Sequence, residues 1–202
     1  MRQSVFDSIY RRICEDPANV EMKEKGYLPV YTANPRAKIV IVGQAPGRIA
    51  QTTMKPWNDA SGKLLRQWLG VSEETFYNPE IISLIPMDFY YPGKGIHGDL
   101  PPRKGFAEKW HPELLKHMPG VELIILVGAY AQKYYLGKDV GWNLTETVLS
   151  YQLYMPRFFP VVHPSPLNFR WHTRNPWFSE DVVPVLRGRV DEILSKKRSS
   201  SI

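Results

Sequence analysis

A single cysteine, Cys14, in 202 residues excludes an intrachain disulfide, and with it any zinc or iron–sulfur centre ligated by several cysteines of this chain. In Ile13-Cys14-Glu15 it reads as a small structural hydrophobe. No apolar run approaches the ~20 residues needed to cross a bilayer. The start, Met1-Arg2-Gln3-Ser4, leads into an amphipathic segment without the apolar stretch of a secretory signal, so a cytoplasmic protein with no membrane contact is expected. Internal repeats are lacking, and low complexity is confined to Ser199–Ser201. With 43% hydrophobic and 23% charged residues, the chain has the composition of an ordinary globular domain. Residues 1–195 read as one domain, expected to act as a monomer. Residues 196–202, opening on Lys196-Lys197-Arg198, read as a disordered basic tail.

What is there alternates. Residues 2–14 have Val5, Ile9 and Ile13 at helical spacing. Lys38–Val42 is an apolar strand, and Ser61–Leu69 a helix capped by Asp59 or Ser61, with Leu64, Leu65 and Trp68 inward. Ile81–Ile85 is a second apolar run. Pro112–Met118 reads as a short helix with proline at its start, Leu123–Val127 as a strand, and Ala129–Leu136 as a helix stopped by Gly137. Phe158–Val162 is the fourth strand. Trp177–Leu194 closes the series as a helix burying Val182, Val183, Val185, Leu186, Val190 and Leu194. The pattern predicts an α/β fold: three α/β/α layers around a central four-stranded parallel sheet.

Ligands of such sheets bind beyond the carboxyl ends of the strands, where the unusual loops fall. Gly43-Gln44-Ala45-Pro46-Gly47 follows the first strand, and His163-Pro164-Ser165-Pro166-Leu167-Asn168 the last. Prolines stiffen the second loop, so a side chain it presents loses little freedom on meeting a ligand. The net charge of +6, with six Trp and eleven Tyr, places basic loops beside aromatic ones. That combination suits a polyanion whose bases can stack.

These two loops, in this order, resemble the motifs of the uracil-DNA glycosylase superfamily. Its branches carry GQDPYH, GEAPG or GMNPG after the first strand and HPSP, HPA or NPS after the last. Gly47–Trp57 is similar to the single-strand-selective branch, and Ser61-Gly62-Lys63-Leu64-Leu65 to the helix entry of the cluster-containing branches, whose four cysteines are missing here. The resemblance spans roughly residues 38–195. It implies hydrolysis of the N-glycosidic bond of a base flipped from DNA, with no cofactor and no metal.

The roles that the resemblance implies are specific. Trp57 takes the place of the aromatic that stacks on the flipped base, and Ala45 adjoins that base. His163 stabilises the departing base, whose charge grows in an oxocarbenium-like transition state. Leu167 fills the vacated stack as an apolar wedge. Gly47, Lys94, Ser165, Asn168, Arg170 and Arg174 grip the DNA backbone. Ser83 stands where uracil-specific members read the pyrimidine edge with asparagine, which leaves strict uracil specificity unsupported. Ala45 also stands where the best-known branch has a water-activating aspartate. Gln44 can orient water but cannot take its proton as a carboxylate can. Asp59 and Asp88 are the nearby carboxylates, although Asp59 also suits a helix cap and Asp88 a backbone or lysine contact in its loop. The expectation is a monofunctional glycosylase acting on uracil or another deaminated or damaged base. The alternatives are a weak or inactive DNA-binding member of the fold and a hydrolase of a non-DNA N-glycoside.

Overall fold

A computed structural model describes residues 2–96 and 98–199. Among them six strands form: β1 (Ile39–Val42), β2 (Ile82–Leu84), β3 (Lys94–Gly95), β4 (Gly98–Asp99), β5 (Leu123–Val127) and β6 (Phe158–Val161). The helices are α1 (Arg2–Glu15), α2 (Val20–Glu24), α3 (Arg48–Thr53), α4 (Ala60–Leu69), α5 (Glu73–Tyr77), α6 (Phe106–Lys116), α7 (Ala129–Leu136), α8 (Leu144–Leu149), α9 (Phe169–Arg174) and α10 (Val183–Ser199). The main sheet is wholly parallel in the order β2-β1-β5-β6, with Ile39 opposite both Ile82 and Leu123, and Ile124 opposite Phe158. It is the four-stranded sheet the alternation predicts. β3 and β4 form a separate antiparallel hairpin.

Both faces of the sheet are covered, so apart from Ser83 in β2 its strands are apolar at successive positions rather than alternately. Side chains of successive residues point to opposite faces. Ile39, Ile41, Leu123, Ile125, Phe159 and Val161 therefore meet Leu65 and Leu69 of α4 and Leu186 and Val190 of α10. Val40, Val42, Ile124 and Leu126 meet Phe6, Ile9 and Ile13 of α1 and Trp110 and Leu114 of α6. Pro160 is tolerated because β6 is an edge strand, hydrogen-bonded on one side only. The other edge, β2, is flanked by the segment around Thr32, whose amide donates to the Leu84 carbonyl (2.9 Å).

Three sequence expectations give way. α6 begins at Phe106, after Gly105 in the left-handed conformation (φ 77°), and Pro112 lies inside it. Phe106, Trp110 and Leu114 are all buried at helical spacing, and that packing outweighs the amide that proline lacks. A π-helical turn, Phe178–Val182, precedes α10, which buries Leu186, Val190 and Ile193 while Val185 is exposed. The basic segment continues α10 as far as Ser199. Lys196 pairs with Glu192 one turn earlier (3.0 Å), which ties it to the helix. Residues 200–202 lie outside the described residues. Among the described residues, no helix is long and apolar enough to cross a membrane.

Candidate active site

The loops after β1, β2 and β6 converge on one cleft of about 770 Å³ at the carboxyl edge of the sheet. The main chain joins two of its walls directly. The Gly43 and Gln44 carbonyls accept from the Met87 and Asp88 amides at 2.8 and 3.1 Å.

Trp57 is held on the cleft wall against its own backbone preference. Its φ is +56°, a region bulky residues rarely occupy and one that persists only when the surroundings enforce it. Here the Tyr77 hydroxyl reaches the carbonyls of Pro56 and Trp57 (3.0 and 3.1 Å). Two close approaches complete the seat. A Cβ on Gly62 would stand 1.8 Å from the Trp57 carbonyl oxygen, and one on Gly43 would stand 2.8 Å from the indole ring. The half-buried indole packs against the core on one side and lines the cleft on the other. Its ring centroid is 5.7 Å from that of His163, with a 32° interplanar angle.

His163 follows β6 in a loop fixed by its own hydrogen bonds. The His163 carbonyl accepts from the Ser165 amide and from Asn168 Nδ2, both at 2.8 Å, and Ser165 Oγ accepts from the Leu167 amide at 3.2 Å. The imidazole makes no hydrogen bond to the described residues. Burial holds its pKa below the ordinary histidine value, against a smaller opposing pull from the Asp59 carboxylate. The ring is therefore neutral at pH 7 and retains one N–H to donate. Asp59 does both things its sequence suggests. Its Oδ1 accepts from the Gly62 amide (2.9 Å) and caps α4, and the same carboxylate lines the cleft.

Gln44 Nε2 donates to the Leu100 carbonyl (2.8 Å). A carbonyl only accepts, so this bond fixes the amide's orientation and leaves Oε1 as an acceptor. Ala45 lines the cleft with a methyl group and Gly47 caps α3 at its rim. Lys94 lines the cleft from the hairpin and lies 3.7 Å from Asp99. Leu167 is 86% exposed on the rim. Arg170 and Arg174 are exposed on α9, beyond the cleft lining and with no ion pair among the described residues.

Two expected roles are corrected. Ser83 lies inside β2, fully buried, its hydroxyl donating to the Pro79 carbonyl (3.3 Å) and accepting from the Asn34 amide (3.2 Å); it reads no ligand. The first cleft-lining residue beyond β2 is Pro86, which has no amide to donate. Its carbonyl accepts from His111 Nε2 (2.9 Å), while Tyr135 hydroxyl donates to Nδ1 (2.7 Å). Asp88 is fully buried and grips Arg103 with both oxygens: Nε to Oδ2 at 2.7 Å and Nη2 to Oδ1 at 2.8 Å. Arg103 continues to the Ala18 carbonyl (3.0 Å) and Asn19 Oδ1 (2.8 Å). Asp88 thus anchors the hairpin-bearing loop to the N-terminal segment and is not available to water. Asn168 Nδ2 gives one N–H to the His163 carbonyl and so also positions that loop.

The sequence did not reveal Asn58, Tyr91 and Asp99 as cleft residues. Asn58 could have been suspected from its place beside Trp57. Tyr91, whose hydroxyl pKa is raised by burial and by the nearby Asp99 carboxylate, and Asp99 come from a loop with no motif of its own. No group of His, Cys, Asp or Glu side chains among the described residues is arranged to hold a metal.

An open parallel sheet with an aromatic, polar cleft at its carboxyl edge defines an α/β domain whose cleft lies where ligands of such sheets bind. Residues 30–187 match the sequence model of the Uracil DNA glycosylase superfamily, a span that takes in all four strands of the main sheet and both motif loops, and the chain belongs to that superfamily. Its members are in general DNA glycosylases.

Proposed function

We propose that this chain is a monofunctional DNA glycosylase, acting as a cytoplasmic monomer, that flips uracil or another deaminated or damaged base out of DNA and hydrolyses its N-glycosidic bond. One observation carries the reading: Gln44, Trp57, Asp59 and His163, drawn from three separate segments, line one cleft. The indole offers a stacking face worth about 1–3 kcal/mol per base, which offsets much of the cost of extrusion. As the C1′–N bond lengthens, its electrons pass to the base, and the neutral His163 donates N–H to the oxygen that gains charge. Water is oriented by Gln44 Oε1, and its oxygen bonds to C1′. Asp59 stabilises the positive sugar and takes the water's proton, which ends on the released base.

Leu167 fills the gap left by the extruded base. Arg170, Arg174 and Lys94, with Gly47 and Ser165 at the rim, hold phosphates. Pro86 beyond β2 offers no side-chain amide to read a pyrimidine edge, which supports a lesion range wider than uracil. An inactive DNA-binding protein is the second reading, favoured by the cap bond that occupies Asp59 Oδ1. Action on free nucleosides would leave the exposed Leu167 without a use.

The test is a panel of oligonucleotides carrying one uracil, hypoxanthine or xanthine. The proposal expects alkali-labile sites at the lesion, lost in His163→Ala. Binding without abasic product supports the inactive reading, and base release from nucleosides alone supports the third.

A further inference from the structure

Ile96 is 94% exposed where the β3–β4 hairpin turns, and nothing in the fold explains it. The hairpin beneath is firmly built. Lys94 and Asp99 pair across it (3.7 Å), and the Leu100 amide donates to the Gly93 carbonyl (2.9 Å). The Leu100 side chain lies over Gly93 and Gly95, and its carbonyl holds Gln44. Arg103, three residues on, is locked by Asp88. The base of the hairpin is thus tied to the amide that would orient water.

Lys94, Gly98 and Asp99 of this hairpin line the same cleft as Ser165 and Leu167. An apolar tip of one side chain is far too small for a protein interface, which takes roughly 800 Å² per partner. The cleft that the hairpin helps to line also carries the cations Lys94 and Arg48, the latter without an ion pair among the described residues. Cations attract phosphates, and between phosphates lie the stacked bases, the apolar part of a nucleic acid.

We infer that Ile96 is a second apolar probe, pressing on the base stack from the hairpin wall of the cleft as Leu167 does from the His163 wall. This rests on the proposed action on DNA. It adds a contact from a different loop, so an unstacked lesion site is gripped at two points.

The test measures affinity for a duplex containing one tetrahydrofuran abasic analogue and for the same duplex intact, using the full chain. Ile96→Ala removes three carbons and should weaken binding to the abasic duplex about tenfold, the loss for roughly two of them being buried in the contact. Ile96→Glu should weaken it further. The salt slope with Ile96→Ala should match the parent's, because no phosphate contact is lost. If both Ile96 variants bind like the parent while Leu167→Ala is weakened, the inference is overturned and the glycosylase reading stands. If the parent does not prefer the abasic duplex and Leu167→Ala changes nothing, the glycosylase reading fails and the inference with it.

Discussion

Replacing Gly62 by alanine should damage the site from inside a helix where alanine is ordinarily favoured. Alanine is better than glycine in a helix by about 0.8–1 kcal/mol. At Gly62, however, the new Cβ would stand 1.8 Å from the Trp57 carbonyl oxygen, so that carbonyl must retreat by more than an ångström. The retreat is opposed by the Tyr77 hydroxyl bond (3.1 Å) and by a backbone already at φ +56°. Overpacking of this kind costs roughly 1–3 kcal/mol, and loss of the hydrogen bond about 1 kcal/mol more. After the helix gain is subtracted, a net destabilisation of about 2 kcal/mol remains. Misplacing a positioning group by an ångström can cost about 100-fold in rate, so single-turnover base release should fall by that order. Gly188→Ala is the control. It is exposed in α10, its added Cβ meets nothing within 4 Å, and it should stabilise by about 0.5–1 kcal/mol. Urea denaturation followed by tryptophan fluorescence, with base-release kinetics on the same samples, measures both. A Gly62→Ala protein as stable and as fast as the parent would refute the account of how Trp57 is held.

Further perturbations separate structural from chemical roles. Asp59→Asn keeps a good helix cap and removes the charge, whereas Asp59→Ala removes both; each should slow base release, and only alanine should cost about 1 kcal/mol of stability in urea melts. His111 is fully buried, and burial pushes its pKa down to about 4. Because that value lies below the unfolded one, its contribution to stability is complete above about pH 6.5 and is lost as pH falls towards 4, a change of about 3 kcal/mol. His111→Gln should flatten the fall in urea midpoints over that window relative to the parent. An equal fall in both proteins would contradict the assignment. Arg170→Ala and Arg174→Ala should each weaken DNA binding across all sequences and reduce the salt slope by about 1, measured by anisotropy at several salt concentrations.

The sheet was legible because both its faces are buried: four short apolar runs bounded by loops leave little other reading. The end of the His163 loop was legible for the same reason, since a stiff polar segment after a buried strand stands out. The roles of Ser83 and Asp88 were not, because periodicity locates a strand without saying which residue ends in the cleft. Ser83 lies one pleat inside β2, and the cleft begins at Pro86. Asp88 meets Arg103 across a loop whose closure no local pattern encodes, and the hairpin carrying Lys94, Ile96 and Asp99 depends on that closure. Pro112 misled because its usual helical position is the first turn, while the tertiary packing of Phe106 and Trp110 extends α6 ahead of it.

Single-turnover incubation of the full chain with a duplex bearing one uracil, hypoxanthine or xanthine tests the central claim most directly. Released base and backbone integrity are followed before and after alkali. The account predicts free base and an intact strand that breaks only on alkali treatment, with the rate reduced by a hundredfold or more in His163→Ala, as for removal of one preorganised oxyanion donor. Contradiction would be the absence of free base from every lesion, or release at the parent's rate by the His163→Ala protein.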